Sequence, residues 1–291
     1  MTPQPRRYHK DALHAACSPA LGPVRLLAYA LLTLALLPVQ WLAVIFRRPL
    51  SYRLPVWYHR LCCRILGIEV VVHGRVSRHR PTLFVSNHSS YLDIPVLGSR
   101  IEGSFVAKTE VGSWPLFGTL ARLQHTVFVD RRARNAKRDS QSLRSRLDRG
   151  DCMILFPEGT SSDGNRTLAF KSALFGVAGV HAGTASPALT VQPVSIVPTH
   201  LDGIPLGREY RAVYAWYGDT DLAPHLWSMI GMGRLRVQIA FHEPVSAARF
   251  TNRKALADHC WCEVADGVAG LLSGRRGQKG RCTATDDRAA A

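Results

Sequence analysis

An imidazole and a carboxylate together can move protons near neutral pH. This chain places His88 and Asp93 five positions apart, in the stretch Val85-Ser86-Asn87-His88-Ser89-Ser90-Tyr91-Leu92-Asp93. On a continuous helix, five steps of about 100° leave the two side chains about 140° apart. On a continuous strand, odd spacing sends them to opposite faces. They meet only if the backbone turns between them, and Asn87, Ser89, Ser90 and Pro95 are the residues that turn a chain and start a helix. His125 and Asp130 repeat the spacing, but the run between them, Thr126-Val127-Phe128-Val129, reads as an uninterrupted strand that holds them apart. The first pair is therefore the catalytic candidate.

The elements that must position this pair follow from the apolar pattern. Thr82 to Ser86 reads as a buried strand feeding the turn, and a short helix runs from Asp93 towards Arg100. The soluble domain begins with a strand bounded by Gly67 and Gly74. Further strands are expected at 104–108, 125–129, 152–156, 189–197 and 235–241, and helices at 114–122, 135–149, 168–181 and 252–272. Alternating strands and helices predict an α/β fold, with a mixed, largely parallel sheet flanked by helices. In such sheets sites collect at the carboxyl ends of strands. His88 follows one strand, and Glu158 follows the continuous apolar run Cys152 to Phe156.

The 291 residues carry a formal net charge of +16, which suggests an anionic partner surface such as lipid head groups or nucleic acid. Seven cysteines, an odd number without a C-x-x-C pair, resemble neither a zinc nor a disulfide framework. They read as free thiols in a reducing compartment, which places the soluble part in the cytoplasm.

Four regions are expected: a flexible basic arm over 1–24, a membrane-associated helical segment over 25–66, the catalytic domain over 67–272 and a disordered tail over 273–291. From Leu26 to Phe46 no residue is charged, and Arg25 and Arg47-Arg48 bound the run. Its helical length of about 31 Å is enough to cross a hydrocarbon core. Basic residues stand on both flanks and Pro38 lies midway, so a span and a helix pair dipping into one leaflet both fit. Arg53 to Leu66 reads either as an interfacial amphipathic helix or as a helix packed on the domain. The basic helix over 135–149 is either a solvated face or a contact for lipid phosphate.

Asn87-His88-Ser89-Ser90-Tyr91-Leu92-Asp93 resembles the N-H-x4-D signature of the glycerolipid acyltransferases, the family of lysophosphatidic acid acyltransferase. Phe156-Pro157-Glu158-Gly159-Thr160 is similar to that family's F-P-E-G-T block. Pro115 to Gly118 with Phe128-Val129-Asp130-Arg131 resembles its second block, and Val191-Gln192-Pro193-Val194 its fourth. The resemblance implies a glycerol-3-phosphate acyltransferase-like fold on the inner (cytoplasmic) membrane, with the catalytic domain facing the cytoplasm. It implies that His88 is the general base, that Asp93 orients it, and that Glu158, Gly159, Thr160 and Arg131 bind substrate. Backbone N–H groups near Gly159, or Lys108 at a strand end, would serve the oxyanion. The partners implied are a lysolipid acceptor, membrane lipids, and acyl carrier protein or coenzyme A as the thioester donor. Neither a metal nor a resident cofactor is implied.

The default acceptor under this resemblance is 1-acyl-sn-glycerol-3-phosphate. Many members continue Glu-Gly-Thr with Arg-Ser, however, whereas this chain has Ser161-Ser162-Asp163-Gly164. A serine cannot replace a guanidinium's two-pronged grip on phosphate. That block, with Ala215-Trp216-Tyr217-Gly218-Asp219 and Ala223-Pro224-His225-Leu226-Trp227, resembles the lyso-ornithine lipid acyltransferases, whose acceptor has no phosphate. An alternative from another class is a membrane lipid-binding protein without turnover. Nucleic-acid binding rests on charge alone, with no accompanying motif. A serine hydrolase would need G-x-S-x-G, which is absent. Trp216, Tyr217 and Trp227 read as packing residues, and His225 and His242 as structural histidines. The sequence leaves open whether Lys171 reaches the site from its helix.

Overall fold

Why the apolar runs become buried strands is visible in the sheet they build. The computed structural model describes residues 18–130, 136–178 and 189–274, with the backbone alone for 136–140. In chain order the elements are α1 (Leu21–Ile45), α2 (Leu50–Ile65), β1 (Ile68–His73), β2 (Thr82–Ser86), α3 (Asp93–Gly98), β3 (Ser104–Lys108), α4 (Phe117–Leu123), β4 (Val127–Val129), α5 (Ala136–Asp148) and β5 (Met153–Leu155). They continue with β6 (Thr190–Leu201), β7 (Ile204–Pro205), α6 (Arg208–Tyr214), α7 (Leu222–Gly231), β8 (Leu235–Phe241), β9 (Val245–Ser246) and α8 (Arg253–Ser273).

Among the described residues the sheet has the order β1-β8-β6-β2-β5-β3-β4, with β7 and β9 added to β6. β1 with β8, β2 with both β5 and β6, and β3 with both β4 and β5 pair in parallel, whereas β6 and β8 are antiparallel. The expected mixed, largely parallel sheet is the fold observed. Every residue of β2 and β5 is buried, as strands covered on both faces require. Phe84 enters one core with Val96, Leu97 and Tyr214, and its neighbours Leu83 and Val85 enter the other with Leu147, Leu256 and Cys260. Each such fully buried apolar side chain contributes about 1.5–3 kcal/mol.

Several elements differ from expectation. The described part of the helix expected over 168–181 is irregular until a 3-10 helix at Ser172–Ala178. The Lys171 amide is drawn to the Pro157 carbonyl and Leu174 N–H bonds Lys171 O, an i to i+3 pattern that starts the tighter helix. The helix expected at 114–122 is a 3-10 turn at Thr109–Ser113 followed by α4, because Leu116 takes a positive φ of 63° after Pro115. β4 starts only at Val127, since His125 has φ 62°. β6 runs on to Leu201, its pairing with β8 extending past Val197. α1 begins at Leu21, inside the region read as a flexible arm. The rest of that arm up to residue 17, and the tail beyond Gly274, lie outside the described residues.

The free-thiol expectation holds for the buried Cys62, Cys63, Cys152 and Cys260, whereas Cys262 is disulfide-bonded.

α1 runs through Pro38 without interruption and forms an antiparallel pair with α2. Thr33 Oγ1 lies 2.9 Å from the Tyr58 hydroxyl, and Gln40 Nε2 donates to Ser51 O at 2.8 Å. The helix is also fastened to the domain at two places. Arg25 Nη1 donates to Ile230 O at 3.1 Å, and Gln40 Nε2 to Leu123 O at 2.6 Å. Between and beyond these ties it exposes Leu27, Leu31, Leu34, Trp41 and Ile45. α2 packs on the domain, burying His59, Cys62 and Cys63 while leaving Trp57 exposed.

Candidate active site

Where β2 ends, the Asn87 side chain takes over the pairing with β6. Its Nδ2 donates to Ile196 O and its Oδ1 accepts from Ile196 N–H, each at 2.9 Å. The chain then turns sharply, and Asp93 is what the turn closes around. Asp93 Oδ2 accepts the Ser89 amide at 2.8 Å and the Ser90 amide at 2.9 Å, so the turn that precedes α3 wraps its backbone donors around this carboxylate. The same oxygen lies 2.9 Å from His88 Nδ1. The turn that the five-residue spacing demanded is therefore present, and it brings the two side chains together.

Asp93 is completely buried, and its Oδ1 accepts the Tyr214 hydroxyl at 2.7 Å. An acceptor-only carboxylate opposite Nδ1 assigns the proton to that nitrogen. Nε2 of His88 is thus left with its lone pair, and no described residue bonds it. The His88 ring stacks on Phe156 at 4.1 Å between centroids and 19° between planes. Its side chain is 20% exposed, so Nε2 is reachable from outside. This arrangement can accept one proton at Nε2 and stabilise the resulting imidazolium.

β5 lies beside β2 in parallel and carries Glu158 to the same edge. Glu158 is 2% exposed; one oxygen, Oε1, accepts the His88 amide at 3.3 Å, and the other has no partner. Burial pushes its pKa up to about 9, with the Asp93 charge adding to the rise and the His88 and Leu168 amides opposing it. At neutral pH it is a neutral acid that can donate a hydrogen bond as well as accept one.

Gly159 follows with φ 69°, a conformation that glycine adopts without strain. A Cβ there would stand 3.0 Å from Lys171 Nζ, so the lysine lies across this turn although no helix carries it. The Gly159 N–H is itself bonded to Phe156 O at 3.1 Å. The neighbouring Thr160 is exposed, and its N–H has no partner among the described residues. Lys108 is exposed at the end of β3, the strand beside β5. Arg131 lies outside the described residues.

Two loops hold the turn from outside. Ser162 N–H donates to His88 O at 2.9 Å, and Trp216 N–H donates to Ser89 O at 2.8 Å. Trp216 packs edge-on against Tyr91 and Trp114. His225 is structural as expected: its Nε2 bonds Val213 O and its Nδ1 faces the Tyr91 hydroxyl, each at 3.0 Å. His242 bonds Ser195 Oγ at 2.8 Å, and burial lowers its pKa to about 4. Tyr214 is the neighbour of the pair that sequence reasoning missed, and Phe156, quoted there only within a motif, stacks on His88. No local signal marks Tyr214, which meets Asp93 across 121 positions of chain. Among the described residues, no group of three metal-ligating side chains stands close enough to hold a cation.

Residues 68–199 match the protein family described as Acyltransferase. The chain is 43% identical over 246 residues to a lyso-ornithine lipid O-acyltransferase of Brucella abortus, covering 81% of this chain and 91% of that protein. It is 32% identical over 199 residues to a 1-acyl-sn-glycerol-3-phosphate acyltransferase of Neisseria gonorrhoeae, covering 66% of this chain and 71% of that one. The crystal structure of the 1-acyl-sn-glycerophosphate acyltransferase of Thermotoga maritima superposes with a TM-score of 0.56 and 25% identity. That match covers 87% of this chain and 100% of the other.

Proposed function

The chain belongs to the acyltransferase family, and from that premise we propose that it moves an acyl chain from a thioester to the hydroxyl of a lyso-ornithine lipid. The observation that carries the reaction is the His88 ring, its Nδ1 committed to Asp93 and its Nε2 open. An alcohol is a poor nucleophile at neutral pH, so Nε2 takes its proton as the oxygen attacks the thioester carbonyl. The tetrahedral intermediate then expels the thiolate, and the imidazolium returns the proton to sulfur. Asp93 keeps the imidazole in the right tautomer and stabilises its charged form. No acyl-enzyme is formed.

Glu158, with one oxygen on the His88 amide and the other unpartnered, contacts the acceptor lipid. Lys108 and the Thr160 N–H serve the oxyanion, and Gly159 opens the turn over which the substrate lies. Arg131 keeps its assignment to acceptor binding. The donor is acyl carrier protein or coenzyme A carrying the acyl group, both anionic partners for a chain of net charge +16.

The membrane reading is a helix pair seated in one leaflet of the inner membrane, with the site facing the cytoplasm. Arg25 and Gln40 tie α1 to the domain at points about 22 Å apart along its axis, so that length lies against protein rather than across a bilayer. The exposed apolar face of α1 and Trp57 of α2 supply the lipid contact.

A phosphate-bearing acceptor is the second reading, favoured by the Neisseria relative and the Thermotoga structure. Ser161 and Asp163, without a guanidinium between them, speak against it. The test offers the full chain, in vesicles, lyso-ornithine lipid and 1-acyl-sn-glycerol-3-phosphate, each with both thioester donors. Acylation of lyso-ornithine lipid at the higher kcat/KM is expected. Acylation of the glycerophosphate alone would overturn the acceptor, and acylation of neither would favour the lipid-binding protein without turnover.

A further inference from the structure

Two opposite charges stand unjoined beside the catalytic turn. The Ser162 amide, bonded to His88 O, draws residues 161–165 across the end of β2. Gly164 is buried there with φ 75°, and a Cβ on it would lie 3.8 Å from Ser89 Cβ and 3.6 Å from Arg211 O. The loop, α6 and the His88 turn thus converge at one point. Asp163 precedes that point in the loop, and Arg211 reaches it from α6.

Asn165 holds the two charged side chains in a fixed relation. Asp163 Oδ1 accepts the Asn165 amide at 3.0 Å, and Asn165 Oδ1 accepts Arg211 Nε at 2.8 Å. Arg211 Nη1 is spent on Leu206 O at 2.9 Å. No ion pair joins Asp163 to Arg211, and among the described residues Asp163 Oδ2 and Arg211 Nη2 have no partner. Both residues are partly exposed. They feel each other: burial and Arg208 lower the Arg211 pKa, while the Asp163 charge raises it. A carboxylate here repels a phosphate dianion, and a separated pair of fixed opposite charges matches a ligand that carries both signs.

We infer that Asp163 and Arg211 form a headgroup subsite for a zwitterionic amino-acid lipid, with Arg211 taking its carboxylate and Asp163 its ammonium. The inference rests on the lyso-ornithine lipid reading, since ornithine offers a carboxylate and a side-chain ammonium and no phosphate. Specificity in this site is then read by charge placement on the loop and α6, apart from the groups that carry out acyl transfer.

The test pairs substrate and enzyme deletions in vesicle assays of the full chain. The acceptors are lyso-ornithine lipid, its carboxyl methyl ester and its N-acetyl derivative, and the proteins are wild type, Arg211→Gln and Asp163→Asn. In wild type each mask lowers kcat/KM by about tenfold or more, the scale of one charged hydrogen bond. Arg211→Gln abolishes the penalty of the ester but keeps that of the acetyl group, and Asp163→Asn does the reverse. Each penalty is a ratio within one protein, so a general loosening of the loop cancels. If both masks keep their full penalty in the matching variants, or cost wild type nothing while the parent lipid is acylated, the subsite is wrong and the acceptor assignment stands. If wild type acylates only 1-acyl-sn-glycerol-3-phosphate, the acceptor assignment fails first and the subsite with it.

Discussion

Asp93 accepts four hydrogen bonds, from His88 Nδ1, the Ser89 and Ser90 amides and the Tyr214 hydroxyl. Its position is thereby determined by backbone as well as side chains, and His88 inherits that rigidity. Glu158 is the opposite case, a carboxyl buried with one oxygen unpartnered. Its pKa is raised from 4.5 to about 9, so between those values the folded chain keeps a proton that the unfolded chain gives up. Stability from this group is fully present below the lower value and declines as pH rises, by up to about 1.4 kcal/mol per pH unit. Glu158→Gln has no such proton to lose. Urea unfolding between about pH 5 and about pH 8 should therefore show a larger decline for wild type than for the variant. Equal declines would mean that Glu158 is ionised in the folded chain. His88, Asp93 and Glu158 were legible because each lies at a local break in an apolar run. Tyr214 was not, because its role exists only once α6 has packed against α3. The commitment of the Gly159 amide to Phe156 was equally invisible, since a tight turn can spend or spare that donor.

At the scale of elements, strand identity was legible wherever a short apolar run ended in turn residues, as in β2 and β5. Lengths were not, because partners decide them: β6 extends past Val197 through its pairing with β8. The expected helix over 168–181 failed for a similar reason, as the contact between Lys171 and Pro157 outweighs local helical preference. The packing of α2 on α3 was also beyond the sequence, though Gly98 marks it. A Cβ on Gly98 would lie 2.4 Å from the buried His59 ring. Gly98→Ala is expected to destabilise the chain by about 1–3 kcal/mol through overpacking, measured by urea unfolding. No loss of stability would show that α2 and α3 leave room for a methyl group between Gly98 and His59.

At the scale of the molecule, the apolar run that begins at Leu26 could be read as a span or as one arm of a pair in a single leaflet. The ties of Arg25 and Gln40 to distant elements favour the pair in a single leaflet, and they were not foreseeable from hydropathy. Ser18→Cys and Arg48→Cys, placed at exposed positions on either side of α1, provide the check. With the native cysteines replaced, a membrane-impermeant thiol reagent should label both from the same face of sealed vesicles. Labelling from opposite faces would make α1 a span. One group carries the proposed chemistry, the open Nε2 of His88. The most direct measurement is the acyl-transfer rate of His88→Ala against wild type in vesicles, with the fold verified by circular dichroism. A general base contributes about 100-fold or more, so the variant should fall to about a hundredth of the wild-type rate or below while keeping its secondary structure. A folded variant that retains more than about a tenth of the rate would contradict the assignment.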